Sequence, residues 1–171
     1  RSRGLGDVYK RQVDLTVILF NNNIYGMTGG QSSPTTPPGK STTTAPYGTI
    51  DRALDACRIA EAAGATYVAR STAFHVKHLT QMIEGGLQNH GFSLVEAIVQ
   101  CPTAYGRKNK MGSPAAMLEW MRDSAVMKTA WDNLPPEKRT PDKFPIGLLC
   151  ACEGEEYGMA NAEIQRRAGG L

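Results

Sequence analysis

The sequence predicts an α/β protein: a parallel sheet with flanking helices. Three observations carry that prediction. The run DLTVILF over residues 14–20 is nearly continuous in apolar side chains, as a strand covered on both faces requires. Residues 14–100 then read as strand, helix, strand, helix, strand, and right-handed crossovers make such an order a parallel sheet. Finally, a chain of 171 residues with 41% apolar and 20% charged side chains suffices for one domain with its own core.

The first twelve residues, RSRGLGDVYKRQ, are rich in Lys and Arg and poor in core material. They read as a non-native leader joined to a domain that starts in mid-fold, which makes the chain a fragment. Domain reasoning therefore runs over residues 13–152, with 153–171 as a C-terminal helix and tail. After the strand at 14–20, residues 21–48 are irregular. Pro34, Pro37, Pro38 and Pro46, with Gly26, Gly29, Gly30, Gly39 and Gly48, forbid a regular element there. A loop of that length in a compact domain is functional or disordered, and its many Ser and Thr favour a bound ligand or a partner chain.

Residues 50–63 predict a helix. Ile50, Ala53, Leu54, Cys57 and Ala60 share one face, Thr49 caps the start and Gly64 ends it. A short strand, TYVAR, follows at 66–70. A second helix spans 75–88, with Val76, Leu79, Ile83 and Leu87 at helical spacing, and Gly91 leads into the strand FSLVEAIVQ at 92–100. Residues 101–112 form a loop. A helix over 114–133 carries Met117, Trp120, Met121, Ser124 and Met127 on its apolar stripe. Residues 134–143 are polar and proline-rich, FPIGLLCAC at 144–152 is a last strand, and 155–167 is a terminal helix. No repeat of about 20–50 residues is present.

Several function classes fall away. A net charge of +3, scattered along the chain, is too small to argue for nucleic acid. No apolar run reaches the ~18 residues of a membrane span, and no signal-peptide pattern is present. Four widely spaced cysteines without a secretory signal imply reduced thiols and a cytoplasmic protein.

The residues that can carry chemistry begin with Asn21, Asn22 and Asn23. Three asparagines directly after a buried strand suit a turn. They equally suit a hard-cation site, in which a side-chain carbonyl and a backbone carbonyl two residues on hold Mg²⁺ carrying a diphosphate. Gly26, Gly29 and Gly30 allow close backbone approach and Thr28 adds a hydroxyl, a set able to cradle phosphate oxygens. It is not a Walker A loop, because no Gly-Lys-Ser/Thr follows. Cys101, before a proline at a strand end, reads as structural or as a ligand. Cys57 lies on an apolar helix face and reads as core. Cys150 and Cys152 form a C-x-C in an apolar strand and read as structural. His75 and His78, three residues apart, have no third ligand nearby and read as a solvated helix face. Arg107, Lys108 and Lys110 form a small basic cluster in a loop. Met117, Met121 and Met127 read as core or subunit interface.

The run FNNNIYGMTGGQSSPTTP at residues 20–37 resembles the second half of the thiamine diphosphate motif of 2-oxoacid:ferredoxin oxidoreductase beta subunits, most of all the 2-oxoglutarate type. APYG at 45–48, GATYVAR at 64–70 and CPTAYGRKNKMGS at 101–113 agree, so the resemblance covers about residues 13–150. It implies a partial thiamine-diphosphate-binding fold. It implies oxidative decarboxylation of 2-oxoglutarate to succinyl-CoA with coenzyme A and ferredoxin, in a complex with an alpha subunit. It aligns Asn22 with the Mg²⁺-ligating side chain and Ile24 with the residue giving its backbone carbonyl. Gly26, Met27 and Thr28 align with the diphosphate and thiazolium side of the cofactor. Cys101 aligns with the isolated fourth ligand of a [4Fe–4S] cluster, whose other three cysteines lie in an N-terminal portion not found here. The family's GDG turn, whose Asp is the other Mg²⁺ ligand, is likewise not found before Val13. The resemblance therefore implies an active intact complex, an inactive 171-residue chain, and no acid or base among these residues. Pyruvate or a branched-chain 2-oxoacid is an alternative substrate. A non-catalytic fragment whose asparagine loop binds only a partner subunit is the alternative from another class.

Overall fold

The computed structural model describes residues 12–169. Its strands are β1 (Leu15–Asn21), β2 (Tyr67–Thr72), β3 (Phe92–Ile98), β4 (Ala125–Met127) and β5 (Phe144–Ala151). Its helices are α1 (Ala56–Ala62), α2 (Val76–Gln88), α3 (Pro114–Ser124), α4 (Lys128–Asp132) and α5 (Tyr157–Gly169). One sheet runs in the order β1-β3-β2-β5-β4. β1, β3 and β2 are mutually parallel, as the crossover pattern predicts. β5 is antiparallel to β2 and parallel to β4, so the sheet is mixed on that side.

The alternation of side chains sorts the core into two faces. On one, Val68, Phe92 and Leu94 pack with Cys57 and Ala60 of α1, joined by Val17, Leu19, Leu149 and Cys150. On the other, Tyr67, Ala69 and Val95 pack against Leu79, Met82 and Ile83 of α2. The sheet is thus covered on both faces at β2 and β3, every residue of which is buried. β1 differs from the sequence expectation. It lies at the sheet edge, and Leu15, Ile18 and Phe20 are 42%, 37% and 68% exposed.

Three other boundaries move. The first helix does not start at Thr49. Ile50 is 95% exposed, and the helix begins only after Asp55, whose Oδ1 accepts the Arg58 N–H at 3.2 Å. The predicted 114–133 helix is split. Ser113 caps α3 and the Met121 carbonyl closes it at Ala125. Ala125–Met127 then pair with Phe144–Ile146 before α4 begins. The last strand ends at Ala151, with Cys152 still bonded through its N–H to the Thr66 carbonyl at 3.0 Å. The expected leader lies outside the described residues except for Gln12, which is buried and bonds to Gly64 and Phe92. No helix among the described residues is long and apolar enough to cross a membrane.

Candidate functional site

The parallel strands β1, β2 and β3 all end on one edge of the sheet. This is where open α/β sheets place ligands. β1 delivers Asn21 there, and the asparagine run turns the chain through two successive side-chain caps. Asn21 Oδ1 accepts the Asn23 N–H at 3.0 Å, and Asn22 Oδ1 accepts the Ile24 N–H at 3.2 Å. Asn23 itself takes φ +60°, a left-handed conformation that asparagine tolerates better than most residues. The turn reading of the three asparagines is therefore correct as local structure.

Beyond them the chain folds into a small hairpin. Tyr25 bridges Gln31, and the Gly30 N–H donates to the Tyr25 carbonyl at 2.9 Å. Gly29 and Gly30 sit at φ +117° and +84°, where a side chain would strain the turn. Gly26 answers a different need. A Cβ there would stand 3.0 Å from Cys101 Sγ and 3.7 Å from Asn22 Nδ2. The structure thus brings Asn22, Ile24, Gly26 and Cys101 together, the last arriving from the end of β3. Cys101 is buried with Ile24, Tyr105 and Met117. Met27 is 99% exposed, and Thr28 is turned to Gln31, its Oγ1 2.7 Å from Gln31 Oε1.

Asn22 and Ile24 offer one amide carbonyl and one backbone carbonyl. These are hard oxygen donors of the kind Mg²⁺ takes. Each already accepts one N–H, the Ile24 carbonyl from Gly26 at 3.0 Å, and each retains a second lone pair. The donor set fits a divalent hard cation. A [4Fe–4S] cluster takes four thiolates, and Cys101 can offer one. Cys57 and Cys150 pack in the other core cluster, and none of the four cysteines is in a disulfide.

The loop over 21–48 is ordered by its own hydroxyls. Thr36 Oγ1 donates to the Asn23 carbonyl at 2.7 Å, Ser32 and Thr42 share a bond of 2.7 Å, and Thr42 Oγ1 receives the Ala45 N–H at 3.0 Å. The Ser and Thr density that suggests a ligand is thus used inside the loop. The 101–112 loop braces it through Asn109, whose Oδ1 accepts from the Ser41 N–H at 2.8 Å. Its start is a π-helical turn, Pro102–Gly106, closed by the Gly106 N–H on the Cys101 carbonyl at 2.9 Å. Burial pushes the Tyr105 phenol of that turn up to about 12. Of the basic cluster, Lys108 lays its stem 3.4 Å from the Cβ position of Gly30.

Three residues of this edge escape the sequence reading. Glu96 of β3 stands opposite Arg70 of β2 in register, and its Oε2 receives Arg70 Nε at 2.6 Å. Arg70 Nη2 reaches Asp55 Oδ1 at 2.6 Å, and Glu96 Oε1 receives Asn21 Nδ2 at 2.7 Å. Burial works against the charge on Arg70, and the Glu96 carboxylate overcomes it, so the guanidinium is held more firmly protonated than usual. Burial also pushes the Cys57 thiol well above its ordinary value, with Glu96 adding to the effect, which makes Cys57 an inert core thiol. Asp55, Cys57 and Glu96 gather their ligand atoms within 4.8 Å, but Arg70 takes both carboxylates, so this is an ion-pair network and not a metal centre. Its signal was a Glu and an Arg inside otherwise apolar strands. Arg70, Glu96, Asn23, Tyr105 and Trp120 line a cleft of about 610 Å³ beside the asparagine loop. His75 and His78 bond through Nδ1 to the Thr72 and Ser71 hydroxyls, each at 2.8 Å.

The model of the C-terminal TPP binding domain of thiamine pyrophosphate enzymes matches residues 3–97. Among curated proteins, the 2-oxoglutarate synthase subunit KorB of Methanocaldococcus jannaschii is 54% identical over 148 residues, covering 86% of this chain and 54% of that protein. The KorB subunit of Methanothermobacter marburgensis is 49% identical over 155 residues, covering 88% of this chain and 54% of that protein. Among solved structures, a 2-oxoglutarate:ferredoxin oxidoreductase from Magnetococcus marinus, with 2-oxoglutarate, coenzyme A and succinyl-CoA bound, superimposes with a TM-score of 0.77 at 27% identity. That match covers 96% of this chain and 56% of the other. The chain spans about half the length of the curated relatives it matches.

Proposed function

We propose that this chain, which belongs to the thiamine pyrophosphate enzymes through their C-terminal TPP binding domain, serves the beta subunit of a 2-oxoglutarate:ferredoxin oxidoreductase. The reaction is 2-oxoglutarate plus coenzyme A plus two oxidised ferredoxins, giving succinyl-CoA, CO₂, one proton and two ferredoxins each reduced by one electron. Thiamine diphosphate, when bound, supplies the carbanion stabilisation that decarboxylation of a 2-oxoacid needs. The observation that carries the reading is the Asn22–Thr28 loop at the strand C-termini, folded against Cys101.

The roles of the chain's own residues follow from their chemistry. Asn22 Oδ1 and the Ile24 carbonyl would hold Mg²⁺. Gly26, Met27 and Thr28 would line the diphosphate with backbone, which tolerates the approach of phosphate oxygens better than side chains do. Cys101 would give one thiolate to a [4Fe–4S] cluster whose other ligands lie outside this chain's site. Ferredoxin, coenzyme A and an alpha subunit are the partners this reading requires, and a cytoplasmic setting suits its reduced thiols.

The test is 2-oxoacid-dependent reduction of ferredoxin or viologen by the assembled complex. Reduction with 2-oxoglutarate and coenzyme A, and far less with pyruvate, is expected. Equal or faster reduction with pyruvate would replace the substrate, and no reduction with either would remove the reading. Stripping divalent metal with a chelator should abolish the rate, and Mg²⁺ should restore it.

A further inference from the structure

The side chain of Asn21 ties the asparagine loop to the sheet, and that side chain is held by a buried ion pair. Asn21 is 8% exposed and Glu96 2%. Its Nδ2 donates to Glu96 Oε1 at 2.7 Å, while Glu96 Oε2 is fixed by Arg70 at 2.6 Å. Its Oδ1 accepts two bonds, from the Asn23 N–H at 3.0 Å and from Thr35 Oγ1 at 2.8 Å. Both ends of the amide are therefore committed, and its orientation is set on each side by hydrogen-bonded partners. The residue so held immediately precedes Asn22.

We propose that Asn21, locked by the Glu96–Arg70 pair and by Thr35, is a positioning residue that sets the orientation of Asn22 for metal–diphosphate binding. This rests on the reading of Asn22 as a Mg²⁺ ligand. The physical reason is the geometry of the turn. Asn21 Oδ1 fixes the amide of Asn23, and so the peptide plane between Asn22 and Asn23. With that plane fixed, the Asn22 side chain and the Ile24 carbonyl leave the turn in one arrangement. Groups that orient a metal ligand without touching the metal set its position, and their loss costs metal affinity or activity. Thr35 ties the second half of the long loop to the same oxygen, so the clamp also couples residues 32–36 to the site.

The assembled enzyme carries the test, in four variants: Asn21→Ala, Thr35→Val, Thr35→Ser and Asn22→Ala. Half-saturation for thiamine diphosphate at fixed Mg²⁺ is measured with kcat at saturation. Asn21→Ala is expected to raise half-saturation by about 10- to 100-fold while kcat at saturation stays within about twofold. Thr35→Val should shift it in the same direction by severalfold, and Thr35→Ser, which keeps the hydroxyl, should restore it. A merely structural role would lower kcat with the amount of folded enzyme and leave half-saturation where it was. That result in Asn21→Ala and Thr35→Val, in an enzyme where Asn22→Ala does raise half-saturation, overturns the proposal. If Asn22→Ala also leaves half-saturation unchanged, the ligand reading fails and this one falls with it.

Discussion

At the residue scale, the three consecutive asparagines divide three tasks. Asn21 ties β1 to Glu96, Asn22 turns its carbonyl toward the loop backbone, and Asn23 absorbs a left-handed φ. The composition of the run made a turn or a cation site legible, but the division of labour was not, because it depends on Glu96 lying across the sheet. Glu96 and Arg70 are 2% and 7% exposed. Removing Glu96 strips a buried guanidinium of its buried partner and leaves it only the half-exposed Asp55, so Glu96→Ala should cost up to about 3–5 kcal/mol of unfolding free energy by denaturant titration. His75 and His78 set a pH dependence. Burial lowers both below the ordinary value of 6.5, and the neighbouring His75 adds to the effect on His78. The unfolded chain therefore takes up protons first as pH falls through 6.5, and the stability these groups allow is present above that pH and lost below it. The urea midpoint should fall between pH 7.5 and 5.5, and His78→Asn should make that fall smaller.

At the element scale, strands were more legible than helix ends. The parallel set β1, β2 and β3 follows from short apolar-rich segments alternating with helices, which right-handed crossovers turn into a parallel sheet. The start of α1 was misplaced because Ile50, Ala53 and Leu54 continue its apolar spacing toward the N-terminus, yet Asp55 caps the helix later. Asp55→Ala should cost about 1–2 kcal/mol through the cap, and Asp55→Asn should keep the cap and lose only the Arg70 pair. Thermal unfolding of the two variants separates the effects. The long helix expected over 114–133 fails for a tertiary reason. Ala125–Met127 gain a parallel partner in β5, and Met127, counted on the apolar stripe, is 47% exposed. Met117, in contrast, is buried against Cys101 and Tyr105. Met117→Ala should destabilise by about 2–5 kcal/mol, and the cavity it opens lies against Gly106 of the π-helical turn.

At the scale of the whole molecule, the fold collects the candidate ligands on one edge of the sheet and leaves β1 open on the other side. Leu15, Ile18 and Phe20 are exposed on an edge strand whose backbone is unpaired on that side among the described residues. Such an edge promotes association. The isolated 171-residue chain should therefore elute larger than a monomer, and Phe20→Lys should shift it toward the monomer on size-exclusion chromatography.

Asn22 is proposed to ligate the divalent cation that carries the cofactor. Electron paramagnetic resonance of Mn²⁺, used in place of Mg²⁺ in the assembled enzyme, reads this directly. With thiamine diphosphate present, the wild-type enzyme should bind one Mn²⁺ per site and Asn22→Ala should leave it free in solution. Equal Mn²⁺ binding by the two would contradict the account.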